Sequence, residues 1–245
     1  DYGQVHHFST NPLVIKATIM NSTVKVIDKD GTAWKPAASN ISGGVQQSIS
    51  PLDSDQGTGQ IDGVRLYQQY SAGQQGPGAV NSMGWDLHTI VGVSAVSYNL
   101  ATPLAAGSTI DVTLDWFRHV TRVDNGNGII DAADSYIPSG ALDNLDLAVL
   151  LNGVVIAKSM STVDNVEYLQ LSLPQSGTVS FEVDRLDVPN SGLDELYGLA
   201  WSTAVPEPAA LVLAAIGIGC GMAIRHLRYC SNKRACCCGD SIRRS

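Results

Sequence analysis

The feature that most constrains the fold of this chain is an alternation of apolar and polar side chains between residues 85 and 203. From Ile110 to Trp116 every second residue is apolar, and the residues between them are Asp or Thr. This period of two predicts a β-strand with one face on the core and one wet face. Similar runs recur at residues 91–100, 145–151, 154–156, 169–173, 179–183 and 197–201. About seven such strands predict a mainly β protein, with a jelly-roll-like β-sandwich as its architecture.

Turn signals support the same prediction. Asn152-Gly153 stands directly between two apolar runs, which is typical of a two-residue hairpin turn. The run before it, Leu145 to Leu151, is apolar at almost every position, so we expect that strand to be the more deeply buried one.

Composition excludes two classes of protein. The chain has 245 residues, of which 44% are hydrophobic and 16% charged, and its net charge is −8. It is too apolar for a disordered chain and too acidic for a general nucleic-acid binder. Its length predicts one large domain or two small ones. Because the first residue is Asp1, we expect the natural start to lie upstream.

The charge is unevenly distributed along the chain. Residues 1–224 hold nine Lys or Arg and 22 Asp or Glu, a net charge of −13, whereas residues 225–245 hold six and one, a net charge of +5. All five cysteines also lie near the C-terminus, beginning with Cys220. The part of the chain before Cys220 therefore has no disulfide available, and its stability must come from packing or from bound ions.

The C-terminal region has three parts in order. Val205, Pro206, Glu207 and Pro208 precede a 16-residue apolar run, residues 209–224, which ends at Arg225. Such a run is roughly 24 Å long as a helix, which just spans a membrane. The basic residues after it place that side in the cytoplasm and the acidic part outside. A buried core helix is the alternative for a run of this length.

This arrangement resembles the PEP-CTERM sorting signal of bacterial exported proteins. The resemblance implies export, a C-terminal membrane helix and an envelope sorting machinery as partner. The expected segments are the motif and transmembrane helix at residues 204–228 and a basic, Cys-rich cytoplasmic tail at 229–245. The tail, with its Cys236-Cys237-Cys238, is longer and richer in cysteine than the signal usually is. Reduced thiols, a metal clip and palmitoylation are the alternatives for these cysteines.

An oxygen-rich loop interrupts the predicted sandwich at residues 123–134. It resembles an EF-hand or dockerin calcium loop, with candidate ligands Asp124, Asn125, Asn127, Asp131 and Asp134. Val123 stands where the first Asp ligand belongs, so any calcium binding is expected to be weak. The alternative is a surface turn whose side chains satisfy its own backbone.

Two helices are predicted in the segment 1–75. Asn11-Pro12 is typical of a helix start, and a second helix is expected after the Gly57-Thr58-Gly59 turn, with an apolar face at Ile61, Val64, Leu66 and Tyr67. The segments Pro12–Thr23 and Gly57–Val64 resemble the last part of a subtilisin-like serine protease domain. This implies a remnant of an α/β domain at 1–75 that packs on something upstream, and a linker at 76–84.

The sandwich itself, expected at residues 85–203, resembles the β-sandwich domains that follow bacterial secreted proteases. The segments that carry this resemblance are Asp143–Leu147, Val154–Ser159 and Asp164–Tyr168. It implies an accessory module, so the chain would be the accessory and anchoring region of an exported serine endopeptidase. The motif that bears the family's nucleophile is absent from the sequence, so we expect no catalytic residue and no activity from this chain alone.

A second function class stays open. A non-enzymatic surface protein could bind glycans or an extracellular partner through exposed aromatic residues, with Trp85, Trp116 and Trp201 as candidates. Trp116 lies on the alternating apolar face, which favours the core. The histidines His88 and His119 flank predicted strands and are expected to be ordinary edge residues.

Overall fold

The structure, a computed structural model, describes residues 10–28, 30–187 and 194–205. By its contacts the chain divides into Asp1–Val205 and Pro206–Ser245. Within the described residues no helix is long and apolar enough to cross a membrane. The apolar run 209–224, the motif residues Pro206 to Pro208, Arg225 and the Cys-rich tail lie outside the described residues.

The described part of the chain contains two helices and fifteen strands. The helices are α1 (Pro12–Asn21) and α2 (Gly63–Ser71). The strands before residue 101 are β1 (Thr23–Val24), β2 (Ala38–Ser42), β3 (Val45–Ser50), β4 (Gln60–Ile61), β5 (Gly78–Val80), β6 (Met83–Ile90) and β7 (Ser94–Leu100). The later strands are β8 (Thr109–Trp116), β9 (Val120–Val123), β10 (Ser135–Pro138), β11 (Leu145–Leu151), β12 (Val154–Ser159), β13 (Val166–Ser172), β14 (Val179–Arg185) and β15 (Glu195–Ala204).

Two sheets form the sandwich, which confirms the prediction of a mainly β fold. One has seven strands in the order β2-β3-β12-β11-β14-β7-β5, and the other has four in the order β13-β8-β15-β6. Strands β12-β11-β14-β7 of the seven-stranded sheet face the four-stranded sheet, β13-β8-β15-β6, across the core. This is the strand order that two Greek keys give in a jelly roll.

The sandwich core lies between the two sheets. It contains the alternating residues of β8, from Ile110 to Trp116, together with apolar residues of β11, β14 and β15. The ring centroids of Tyr98 and Phe181 lie 5.7 and 6.2 Å from that of Trp201 there. Each such buried side chain contributes about 1.5–3 kcal/mol relative to an exposed one.

The predicted hairpin turn at Asn152-Gly153 is confirmed. It joins β11 to β12, and both residues have positive φ, +52° and +78°. A two-residue loop of that geometry matches the twist of the strands, and Asn and Gly are the residues that adopt it at the lowest cost.

The polar face of β8 is not wet, contrary to the sequence prediction. Asp111, Thr113 and Asp115 are all buried, because α1 packs across the outer face of the four-stranded sheet. A small apolar cluster joins helix and sheet there, formed by Val14, Ala17, Trp85 and Ala200. The described part of the chain is therefore layered as helix, sheet and sheet.

The helix α1 begins as predicted, and α2 forms after the Gly57-Thr58-Gly59 turn as predicted. The Asn11 side chain accepts a hydrogen bond from the Leu13 N–H at 2.9 Å, with Pro12 at the first helical position. In α2 the predicted apolar face is outside, with Val64 67% and Tyr67 72% exposed. The buried residue is Gln69, whose amide donates to the Trp201 carbonyl at 2.9 Å. Spacing along the helix identified a stripe of residues but not the face that meets the sheet.

The segment 1–75 contributes strands to the sandwich. β3 pairs in parallel with β12 at Ala157 to Ser159, and β2 extends the sheet beyond it. β5, inside the predicted linker 76–84, pairs with β7. The helices pack on the four-stranded sheet of the sandwich. The subtilisin-like ancestry of this segment stays a prediction.

Candidate functional site

The long connection between β8 and β11, residues 117–144, carries the polar groups that stand out from the fold. Its middle is the antiparallel ribbon of β9 and β10, in which Val120 faces Pro138 and Val123 faces Ser135. The predicted calcium loop is the tip of this ribbon. An EF-hand loop stands between two helices, whereas this one stands between two strands.

The structure brings the five predicted calcium ligands together in this loop. All five accept hydrogen bonds from the loop's own backbone, Asp124 from the Gly126 and Gly128 N–H groups and Asp134 from those of Asn125 and Asp131. Asn125 accepts from the Asn127 N–H at 3.1 Å, Asn127 from the Ile129 N–H at 2.7 Å, and Asp131 from the Ala133 N–H at 2.8 Å. The Ala133 N–H and the Asn127 amide lower the pKa of Asp131. These bonds are the ones expected of a self-satisfied turn.

Asp124 and Asp134 also face the guanidinium of Arg122. Its Nη1 lies 2.8 Å from Asp134 Oδ2, 3.1 Å from the Ile129 carbonyl oxygen and 3.7 Å from Asp124 Oδ1. Two carboxylates and a backbone carbonyl are the oxygen types that Ca²⁺ prefers. Here they surround a cationic side chain of the chain itself.

A second cluster lies where the connection leaves and rejoins the sandwich. His119 Nε2 is 2.7 Å from Glu195 Oε2, at the start of β15, and 3.8 Å from Asp143 Oδ2, just before β11. The ligand atoms of the three residues lie within 4.8 Å of one another. Both carboxylates are buried, and the His119 side chain is 31% exposed.

Arg185, at the end of β14, holds one side of this cluster. Its Nη2 donates to Asp143 Oδ1 at 2.6 Å, and both side chains are fully buried. Burial and, next, a hydrogen bond shared with Asp143 raise the pKa of Glu195 to about 7, against the opposing effect of His119. The cluster therefore links the two sheets at one end of the sandwich. Sequence analysis missed it, because its members lie far apart along the chain and carry no motif.

The described histidines do not form a nucleophile–base pair. Among the described residues, His119 contacts Glu195 and Asp143, and His88 Nδ1 lies 4.0 Å from Asp86 Oδ2. Neither hydrogen-bonds a serine or threonine hydroxyl of the described chain. A Ser-His arrangement needs that hydrogen bond.

The three tryptophans proposed as glycan-binding residues do not form an exposed surface. Trp85, Trp116 and Trp201 are all fully buried. The indole N–H groups of Trp85 and Trp201 donate to the Tyr70 and Asn81 carbonyls, each at 2.9 Å. The surface-protein alternative thereby loses the three residues on which it was based.

No protein-family model and no curated protein matches the chain. Among solved structures, the chain is similar to Aeromonas hydrophila PliG, a periplasmic lysozyme inhibitor of g-type lysozyme, with 17% identity and a TM-score of 0.34 over 54% of this chain and 99% of that one. It is also similar to the pre-peptidase C-terminal domain of a collagenase from Bacillus anthracis, with 11% identity and a TM-score of 0.30 over 54% and 96% of the two chains. Likenesses of this size carry no argument about function.

Proposed function

We propose that this chain is a non-catalytic β-sandwich module of an exported protein, tethered to the cell envelope through residues 204–228. The observation that carries the proposal is the place of β15. It pairs with β8 on one side and β6 on the other, and it ends at Ala204, immediately before Val205 of the sorting motif. A tether at this point pulls on an interior strand held by two ladders of hydrogen bonds.

The charge distribution supports the same proposal. An acidic part is followed by an apolar run and a basic end, which is the polarity of a membrane-anchored protein with its folded part outside. The parent protein in this proposal is a subtilisin-like serine endopeptidase, and this chain is its accessory and anchoring region.

Membrane fractionation of the full chain, exported behind a secretory leader, tests the tether. We expect it to remain in the membrane pellet after alkaline carbonate extraction. A variant with Leu211→Arg and Leu213→Arg is expected to move to the supernatant, because a charge in the bilayer centre costs about 2.5–3.5 kcal/mol on insertion scales. The matched control places the same two charges on the exposed positions Val64 and Tyr67. Recovery of the unsubstituted chain in the supernatant would overturn the proposal.

The parent enzyme is tested separately. The reading frame upstream of Asp1 is expected to encode a Gly-Thr-Ser motif, and the full product should cleave casein until a serine-directed reagent is added. A start codon and leader directly upstream of Asp1 would exclude this parent without affecting the tether.

The oxygen-rich loop is proposed as a weak calcium site of this module. Support comes from the convergence of Asp124 Oδ1, Asp134 Oδ2 and the Ile129 carbonyl around a single cationic group. Calcium would have to displace Arg122 from these oxygens, so the expected affinity is low. Thermal melts with and without a chelator should differ by a few degrees, and identical melts would exclude the site.

A further inference from the structure

In the cluster of His119, Asp143 and Glu195, the two carboxylates have one permanent positive charge beside them, that of Arg185, because His119 is cationic only when it is protonated. Two carboxylates lie buried next to each other, and the buried Arg185 neutralises one of them. The second carboxylate needs another positive charge nearby, because an unpaired buried carboxylate is costly. A proton shared within the cluster or a bound cation supplies it.

The donor geometry favours a cation. An imidazole nitrogen and two carboxylate oxygens, contributed by three separate segments, face one small space and lie within 4.8 Å of one another. Tetrahedral Zn²⁺ with ligand bonds near 2.0–2.1 Å places its ligands about 3.3 Å apart. The 3.8 Å between His119 and Asp143 and the 2.7 Å between His119 and Glu195 lie on either side of that spacing. A metal ion here would replace the hydrogen bond between His119 and Glu195, and side-chain rotations that move these two atoms apart would make room for it.

The surroundings resemble those of known metal sites in two respects. Arg185 holds Asp143 Oδ1, which leaves Oδ2 facing His119, and such an outer partner fixes the orientation of a ligating carboxylate. The exposed edge of His119 gives an ion access from solvent and leaves room for a water ligand.

We infer that His119, Asp143 and Glu195 form a binding site for a divalent transition-metal ion of the Zn²⁺ type, which joins the two sheets at this end of the sandwich. Imidazole in the donor set favours Zn²⁺ over Ca²⁺ or Mg²⁺, which prefer oxygen ligands alone. The site is separate from the oxygen-rich loop and does not depend on the proposed tether. With three protein ligands and an open position, the site has the coordination of those in which zinc retains a water ligand.

Calorimetric titration of the full chain with ZnCl₂ tests this inference. Thiols also bind Zn²⁺, so the titration is done in a chain whose Cys220, Cys230, Cys236, Cys237 and Cys238 are changed to serine. We expect one equivalent of Zn²⁺ to bind with a Kd raised at least about tenfold by His119→Gln and by Glu195→Gln. One equivalent of Zn²⁺ should raise the melting temperature of the chain with the five Cys→Ser changes. It should not raise that of His119→Gln or Glu195→Gln made in the same chain.

His88→Gln is the matched control. His88 lies in β6, has a side chain about as exposed as that of His119 and stands 4.0 Å from a buried carboxylate, the single carboxylate with which it pairs among the described residues. Its variant should keep the Zn²⁺ equivalent. His119→Gln changes a partly exposed residue, so circular dichroism is expected to show a folded protein. Unchanged Zn²⁺ binding in folded His119→Gln, equal loss in His88→Gln, or a His119-dependent response to CaCl₂ alone would each overturn the inference.

Discussion

At the scale of single residues, most acidic side chains of the four-stranded sheet are buried and are surrounded by other side chains rather than by solvent. Asp111 accepts hydrogen bonds from Tyr168 at 2.9 Å and Gln170 at 2.6 Å, and it pairs with Arg65 at 3.1 Å. Asp115 has fewer stabilising contacts. Its carboxylate oxygens have no hydrogen-bond partner among the described residues, and Lys16 Nζ lies 3.6 Å away.

The burial of Asp115 predicts that the free energy of unfolding depends on pH. Burial raises its pKa from an ordinary value of 3.8 to about 8, with Lys16 opposing the shift. Between these two values the folded chain holds a proton that the unfolded chain has lost. The free energy of unfolding therefore falls as the pH rises, at up to about 1.4 kcal/mol per pH unit. Asp115→Asn removes this titration, so the variant should gain stability relative to the parent from pH 5 to pH 8 in urea unfolding. A difference that is constant over this range would contradict the prediction.

The position of Arg122 among the oxygens of the loop predicts how the loop responds to calcium. Arg122→Gln removes the cation from Asp134 and Asp124, so it should lower stability without calcium and enlarge the rise in melting temperature that calcium causes. The exposed Arg118, changed to Gln, is the control for the loss of one positive charge from the same connection. If calcium raises the melting temperature of both variants equally, Arg122 does not compete with the ion.

At the scale of elements, helix α1 and the four-stranded sheet form an interface that depends on Gly198 of β15. A Cβ built at this position would lie 2.6 Å from Asp115 Oδ1 and 2.8 Å from the Leu13 carbonyl oxygen. Only a residue without a side chain lets the helix backbone approach the strand this closely.

Gly198→Ala is therefore expected to lower the free energy of unfolding by about 1–3 kcal/mol, the range for overpacking of a close contact. Gly63→Ala is the matched control. Gly63 begins α2, and a Cβ there meets nothing within 4 Å, so this change should be neutral or stabilising. Equal stability of the two variants in denaturant unfolding would show that α1 can shift away from the sheet at little cost.

At the scale of the whole molecule, the segment 1–75 and the sandwich form one structure. α1 covers the buried acidic face of β8, and β2 and β3 extend the seven-stranded sheet. A chain that begins at residue 76 would expose Asp111, Thr113 and Asp115 to water and leave β12 as an unprotected edge.

A truncated chain of residues 76–205 should accordingly fail to unfold cooperatively and should be cut rapidly by proteases. Residues 1–205, the complete first unit, are the control and should unfold in a single transition. Cooperative unfolding of the truncated chain would indicate that the sandwich is an independent domain after all.

The sequence alone determined the local features, because those depend on residues close together in the chain. The alternation in β8, the Asn152-Gly153 turn and the capped start of α1 were predicted correctly, since each follows from backbone geometry and neighbouring side chains. The tertiary structure decided what covers each face. A period of two does not distinguish solvent from a helix above Asp115, nor does spacing along α2 reveal that Gln69, not Val64, meets the sheet. The cluster of His119, Asp143 and Glu195 exists only because three distant segments end at the same edge, and that juxtaposition is a property of the packed sheets.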